Sequence, residues 1–264
     1  MKMLIGAVKP TGGTGYIKGN AIGSVEARRL IGYSSEFPGF YRGMTAYWYL
    51  TYMAMLCRLH YREAWRKAME LLDLFDLRKY GNWDIYKFST GMRKKIGLAQ
   101  AMIHDPEILL LDEPTANLDL TARMNIISCL KDLVLKKDVT IFISSHVLAE
   151  LDQVINYVTL IDKGEICMQG PVNEIKKNLS GNRYILKTTY NVKAVELLKK
   201  LDFIDNINLN DNGEIEIITG EEEGIRRKIM EALLVEDIEV EYFSRSNISL
   251  ESIYKSVMEK GAVK

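Results

Sequence analysis

Neither sign of charge predominates in this chain. Lys and Arg together number 35, as do Asp and Glu, so the formal net charge is zero. That disfavours a nucleic-acid binder with a globally basic surface, although it leaves room for a local patch. Cysteine is sparse. Cys57, Cys129 and Cys167 lie far apart and match no metal-ligand spacing, which suits a reducing compartment better than a disulfide framework. No apolar stretch is long enough to span a bilayer. The most apolar one, residues 45–59, falls short of the ~20 residues a spanning helix needs, and Arg58 interrupts it. Residues 1–9 superficially resemble a signal peptide, but Lys9 closes their apolar run too early for a signal core. A soluble, cytoplasmic protein is expected, peripheral if it works at a membrane.

What is present is ordinary globular material: 264 residues, 47% hydrophobic and 27% charged, enough for roughly two domains. Residues 2–8 read as the last turns of a helix, stopped by Pro10, Gly12 and Gly13. A short strand and turn is expected over 16–20 and another strand over 30–33. Thr45 is a candidate cap for a helix reaching Leu56. Its aromatics, Tyr47, Trp48, Tyr49 and Tyr52, lie nearly all the way round, so most are expected to be buried or bound. Apolar residues at helical spacing predict further helices over 62–77 and from Gly91 to His104. The continuous apolar runs 108–111 and 139–143 read as strands buried on both faces of a parallel sheet, with a right-handed crossover helix over 120–135. A β-hairpin is expected over 157–169.

Composition shifts after Gly181. Residues 182–264 hold 12 Lys and Arg against 16 Asp and Glu, whereas the first 181 hold 23 against 19. This tail alternates expected strands (183–188, 214–219, 239–243) with helices (192–201, 223–234, 250–259), a small α+β domain. Glu221, Glu222 and Glu223 read as an acidic helix start favoured by the dipole rather than as a binding site.

The strongest chemical signal is Ile108-Leu109-Leu110-Leu111-Asp112-Glu113-Pro114. An apolar strand ending in two carboxylates places them at the carboxyl edge of a sheet, where α/β folds bind ligands. In nucleotide hydrolases the first carboxylate helps hold Mg²⁺ and the second polarises the attacking water. Alone, the motif is also what a strand end followed by an acidic turn looks like. It is flanked, however, by Phe88-Ser89-Thr90-Gly91-Met92 upstream and by Asn117-Leu118-Asp119 and Ser144-Ser145-His146 downstream.

In order and spacing these motifs resemble the nucleotide-binding subunit of an ATP-binding cassette (ABC) transporter, over about residues 1–175. Residues 88–92 look like its signature motif, with Thr90 where Gly is common and Met92 where Gln is frequent. Residues 111–114 look like Walker B with the catalytic Glu, 117–119 like the D-loop, His146 like the switch histidine. Glu36 stands where the Q-loop carries Gln. The Q-loop Glu, the signature Met and the tail ending in residues 247–254 are similar to the exporter branch. The resemblance implies an α/β fold, a P-loop-NTPase-like core with an α-helical subdomain over about 40–105, in a domain 1–181 followed by an α+β accessory domain 182–264.

It also implies ATP and Mg²⁺ as cofactors, with Asp112 coordinating the metal, Glu113 as general base and His146 donating to the γ-phosphate. Glu36 and Asp119 would lie at the nucleotide, and Ser89 and Gly91 would face the ATP of a second ATPase subunit in a homo- or heterodimer. The implied partner is an integral-membrane permease, not nucleic acid, and the implied location is the inner face of the plasma membrane. The aromatics between Phe37 and Tyr52 fall where the family docks on that permease, although packing within the helical subdomain is the plainer reading for each. His60 and His104 read as a helix-surface and a turn residue.

No G-x-x-x-x-G-K-[ST] phosphate loop occurs in the sequence. By the resemblance, residues 1–6 would directly follow that loop, so the core is expected to be N-terminally truncated. Losing about three charge-assisted hydrogen bonds at ~1.5–3 kcal/mol each weakens ATP binding about a thousandfold to a millionfold. An internal start within a longer protein, a decayed gene and a degenerate partner subunit all fit. A hydrophobic slot is expected beside the 109–111 strand, where the loop's own strand would sit.

Overall fold

The computed structural model describes residues 1–136, 139–152, 154–180, 182–210, 212–220, 224–246 and 249–254. They form two compact units, Met1–Val154 and Ile155–Lys264, with the boundary in sequence ahead of the composition shift at Gly181.

In the first unit a two-residue turn joins β1 (Tyr16–Ile17) to β2 (Asn20–Ala21). Lys18 and Gly19 both take positive φ there, 47° and 80°, the backbone such tight hairpins require. Then come α1 (Val25–Arg29), capped by Ser24, and β3 (Ile31–Ser34). Three helices follow: α2 (Ala46–Leu56), α3 (Tyr61–Leu74) and α4 (Thr90–Ala101). Next are β4 (Ile108–Asp112), α5 (Leu120–Lys136), β5 (Thr140–Ser144) and the short α6 (Leu148–Leu151).

The strands form a parallel sheet in the order β3-β4-β5, in which Tyr33 pairs with Leu110, Leu110 with Phe142 and Asp112 with Ser144. All three strands therefore end at one edge. Gly32 lets α4 approach this sheet closely: a Cβ there would lie 2.0 Å from the Ala101 carbonyl oxygen. The core runs from Leu109 and Leu111 through Ile96 and Leu98 to Leu72 and Tyr49.

Four expectations are corrected here. Residues 2–8 do not form a helix. They make successive turns, with Leu4 N donating to Met1 O and Ala7 N to Lys2 O, because Gly6 adopts φ 76° where it passes Gly23. Leu4 and Ile5 pack with Ile17, Ile31 and Leu110. The slot beside β4 is absent: β3 and β5 pair with it on either side, and Leu109 and Leu111 are fully buried. β5 is not buried on both faces. Among the described residues only β4 pairs with it, and Phe142 is 50% exposed. Finally, the aromatics of α2 divide. Tyr49 is buried, whereas Trp48 is 52% exposed and Tyr52 39%. Trp48 lies against Tyr61 and Trp65, and Tyr47 stacks on Trp65 at 5.1 Å.

The second unit opens with the expected hairpin, β6 (Tyr157–Asp162) and β7 (Glu165–Pro171), turning through Lys163 and Gly164, both at positive φ. After α7 (Val172–Ser180) come β8 (Arg183–Thr188), α8 (Asn191–Leu198), β9 (Ile204–Leu209), β10 (Ile215–Thr219), α9 (Ile225–Val235) and β11 (Val240–Arg245). The sheet order β11-β8-β10-β9, antiparallel throughout, makes this a β-α-β-β-α-β unit of two interleaved split β-α-β halves. Leu186, Ile215, Ile217, Ile229 and Leu233 fill its core. β9 escaped the sequence reading because Asp205, Asn206 and Asn208 depress its strand propensity. The helix expected over 250–259 is present through the described residues 250–254, with Leu250 and Ile253 buried. The acidic helix start at 221–223, Asn247, Ile248 and residues 255–259 lie outside the described residues. Among the described residues no helix is long and apolar enough to cross a membrane.

Candidate functional site

Because β3, β4 and β5 end together, the residues just beyond them converge. Asp112, the last residue of β4, accepts hydrogen bonds at both carboxylate oxygens, from Ser144 Oγ at 2.6 Å and from Tyr33 OH at 3.4 Å. Burial and the Asp112 carboxylate push the Tyr33 phenol above its ordinary pKa. Glu113 then turns the chain with φ 46°, a conformation disfavoured for a residue with a Cβ. Its amide donates to both the carbonyl and the hydroxyl oxygen of Ser144, each at 3.2 Å, which holds the reversal.

His146 follows β5 and its Nδ1 lies 2.9 Å from Glu113 Oε1. The hydrogen bond to Glu113, with the carboxylate charge behind it, raises the imidazole pKa above its usual range. The other oxygen, Glu113 Oε2, is buried and has no hydrogen-bond partner. A buried, unpartnered carboxylate oxygen is a vacant acceptor position and calls for a ligand or a water.

Glu36 lies in the loop after β3. Its Oε1 accepts from Asn117 Nδ2 at 3.3 Å, tying the loop to the segment that follows Pro114. Beside it a pocket of about 270 Å³ is lined by Glu36, Phe37, Phe40, Tyr86, Arg93 and Asn117, among others. Asp112 and Glu113 are thus joined through Ser144, His146 contacts Glu113, and Asn117 ties Glu36 to the segment after β4.

Ser89, Gly91 and Asp119 hold different positions. Ser89 is the N-cap of α4, its Oγ accepting from Met92 N at 3.2 Å. Gly91 lets α4 and α5 approach: a Cβ there would sit 3.1 Å from that of Ala122. Asp119 heads α5, its Oδ1 accepting from Ala122 N at 2.8 Å. His60 is the N-cap residue of α3, and His104 Nε2 lies 3.0 Å from the carbonyl oxygen of Ile31.

Sequence reasoning missed Tyr33, Ser144 and Lys94. Lys94 is the most instructive. It sits in the basic run Arg93-Lys94-Lys95, yet it is 4% exposed and donates from Nζ to the carbonyl oxygens of Glu36 at 2.6 Å and Glu113 at 2.9 Å. A signal was available: Lys94, Gly97, Leu98 and Ala101 share the i, i+3, i+4, i+7 spacing of one helix face, and all four are buried.

Comparison with known proteins brings in residues beyond this edge. Residues 1–116 match the ABC transporter family, and residues 170–258 match the family described as ATP-binding protein DrrA1-3-like, C-terminal domain. The chain is 30% identical over 267 aligned residues to the bacitracin transport ATP-binding protein BcrA of Bacillus licheniformis, covering 100% of this chain and 85% of that one. It is 36% identical over 186 residues to an uncharacterized ABC transporter ATP-binding protein, YxlF, of Bacillus subtilis. That match covers 70% of this chain and 61% of the relative, so the chain spans about three-fifths of the relative's length. Among solved structures, the ATP-binding subunit of an ABC transporter superposes with a TM-score of 0.58 at 26% identity, over 67% of this chain and 75% of that one.

Proposed function

The chain belongs to the ATP-binding proteins of ABC transporters, and we propose that it hydrolyses ATP to power export of a cargo through an integral-membrane permease. The observation that carries this reading is Glu113: a carboxylate in a left-handed turn at the sheet's carboxyl edge, with Oε1 on His146 and Oε2 buried and vacant.

The donor set fits Mg²⁺ held largely by a nucleotide. Among the described residues no group of three or more His, Cys, Asp or Glu is placed to cage a metal. Mg²⁺ keeps several waters and commonly takes one or two carboxylates together with phosphates, a demand that Asp112 meets. When bound, Mg²⁺-ATP supplies the phosphoryl group and neutralises its charge. Asp112, fixed by Ser144 and Tyr33, is the carboxylate that would help hold the Mg²⁺. Glu113 Oε2, buried and without a partner, would accept the proton of the attacking water. His146, kept protonated to higher pH by Glu113, offers a donor to the phosphate. In this reading Glu36 and Asp119 lie near the nucleotide, and Ser89 and Gly91 at the start of α4 face the nucleotide of a second ATPase subunit, the same chain or another.

Export as the direction is supported by the similarity to BcrA and by the match of the tail to the DrrA1-3-like C-terminal domain. The proposed location is the inner face of the plasma membrane, without a nucleic-acid partner. The proposed division, an ATPase domain over 1–181 and an accessory domain over 182–264, is supported by the β-α-β-β-α-β unit beginning at Arg183.

The test is ATP turnover by the full-length protein with its permease, wild type against Glu113→Gln. Glu113→Gln should bind ATP and lose at least about a hundredfold in kcat, as removal of a general base does. Turnover unchanged by the substitution would reject Glu113 as the base. Absent turnover in the wild type would favour a non-hydrolytic subunit that only offers Ser89 and Gly91 to its partner.

A further inference from the structure

Lys94 occupies a position that the nucleotide chemistry above does not use. Its ammonium is withdrawn from water and donates to two backbone carbonyls, those of Glu36 and Glu113, which belong to different segments. Burying a lysine without partners is strongly unfavourable, so the two carbonyls and the acids nearby are what keep it there. Burial lowers its pKa, while Glu36, Glu113 and Asp112 act in the opposite direction.

The consequence for Glu113 is mechanical. Its main chain is held from both sides: the amide by Ser144 at the end of β5, and the carbonyl by Lys94 from α4. Glu36 is held likewise, its side chain by Asn117 and its carbonyl by Lys94. Lys94 stands little more than one turn into the helix that Ser89 caps. A rotation of α4 therefore either carries Glu36 and Glu113 with it or breaks both bonds.

We propose that Lys94 is a positioning residue for ATP hydrolysis: it locks the Glu113 turn and the Glu36 loop to the helix headed by Ser89 and Gly91, so that the general base is aligned only when α4 is correctly seated. This rests on the hydrolase reading of the site.

The experiment measures kcat and KM for ATP in the full-length protein with its permease, for wild type, Glu113→Gln, Lys94→Met and Lys94→Gln, normalised to the folded fraction from thermal melts. Methionine keeps an unbranched apolar stem and removes every donor; glutamine restores N–H donors on a shorter stem. Lys94→Met should lose about tenfold to a hundredfold in kcat with KM within about threefold, the size expected when a reacting group is displaced by about 1 Å. Lys94→Gln should recover part of the loss, and it carries the same comparison with wild type if the methionine variant does not fold. Wild-type kcat per folded Lys94→Met molecule, a loss confined to KM, or a glutamine variant no better than methionine would each overturn the proposal. Failure of the hydrolase reading shows separately, as a wild type without turnover or a Glu113→Gln variant that keeps it.

Discussion

At the scale of single residues, the contact between His146 and Glu113 has a sign that experiment can read. The hydrogen bond to Glu113 raises the imidazole pKa of the folded protein above the ordinary 6.5. A raised folded value means that the pair's stabilising contribution is complete below about 6.5 and is lost as pH climbs through the raised value. An NMR titration of His146 should give a pKa above 6.5 in the wild type and a fall toward 6.5 in Glu113→Gln. An identical midpoint in both proteins would mean that Glu113 does not set it. Asp112 and Glu113 were legible because they end an apolar strand, a pattern visible in one dimension, and His146 was picked out through the family resemblance. Tyr33, Ser144 and Lys94 were not, because what matters about them is contact across strands and segments. Tyr33 meets Asp112 only because β3 and β4 are neighbours in the sheet, a pairing that apolar runs do not specify.

At the scale of elements, two residues with an expected place at the nucleotide also cap helices. Ser89 accepts from Met92 N, and Asp119 from Ala122 N. Replacing such a cap by Ala costs about 1 kcal/mol, whereas Asn caps about as well as Asp. Asp119→Ala should therefore lower the stability measured by urea unfolding by about that amount, and Asp119→Asn should not. If both variants unfold like the wild type, Asp119 is not holding the start of α5, and any effect of Asp119→Ala on turnover is purely a site effect. The long helices with a cap or a clear apolar period were well read: Thr45 and Leu56 delimit α2 as the sequence suggests, whereas α1, α6 and α7 were not anticipated. Strands whose character depends on neighbours were read less well. β5 carries the same apolar residues as a buried strand, but with β4 as its one described neighbour it leaves Phe142 half exposed. The first residues failed for another reason: a glycine free to adopt positive φ converts a helical-looking apolar run into turns.

At the scale of the whole molecule, the β-α-β-β-α-β unit places its first and last strands side by side. Tyr184 of β8 pairs with Arg245 of β11, and Ser246 N donates to the Arg183 carbonyl at 2.8 Å. The unit has its own apolar core around Leu186, Ile217 and Ile229. Chain ends that meet tolerate being joined and reopened elsewhere. A circular permutant of this unit, with residue 246 linked to 183 and new ends opened between Gly220 and Gly224, should unfold as cooperatively as the parent unit in calorimetry. A permutant that melts without a cooperative transition would show that the order of synthesis, not the pairing of β8 with β11, holds the unit together. The same adjacency bears on ancestry. A segment whose entrance and exit coincide is spliced into or out of a gene by a single local event, without rethreading the host chain, so such a tail is free to be traded among ATPases like an interchangeable fitting.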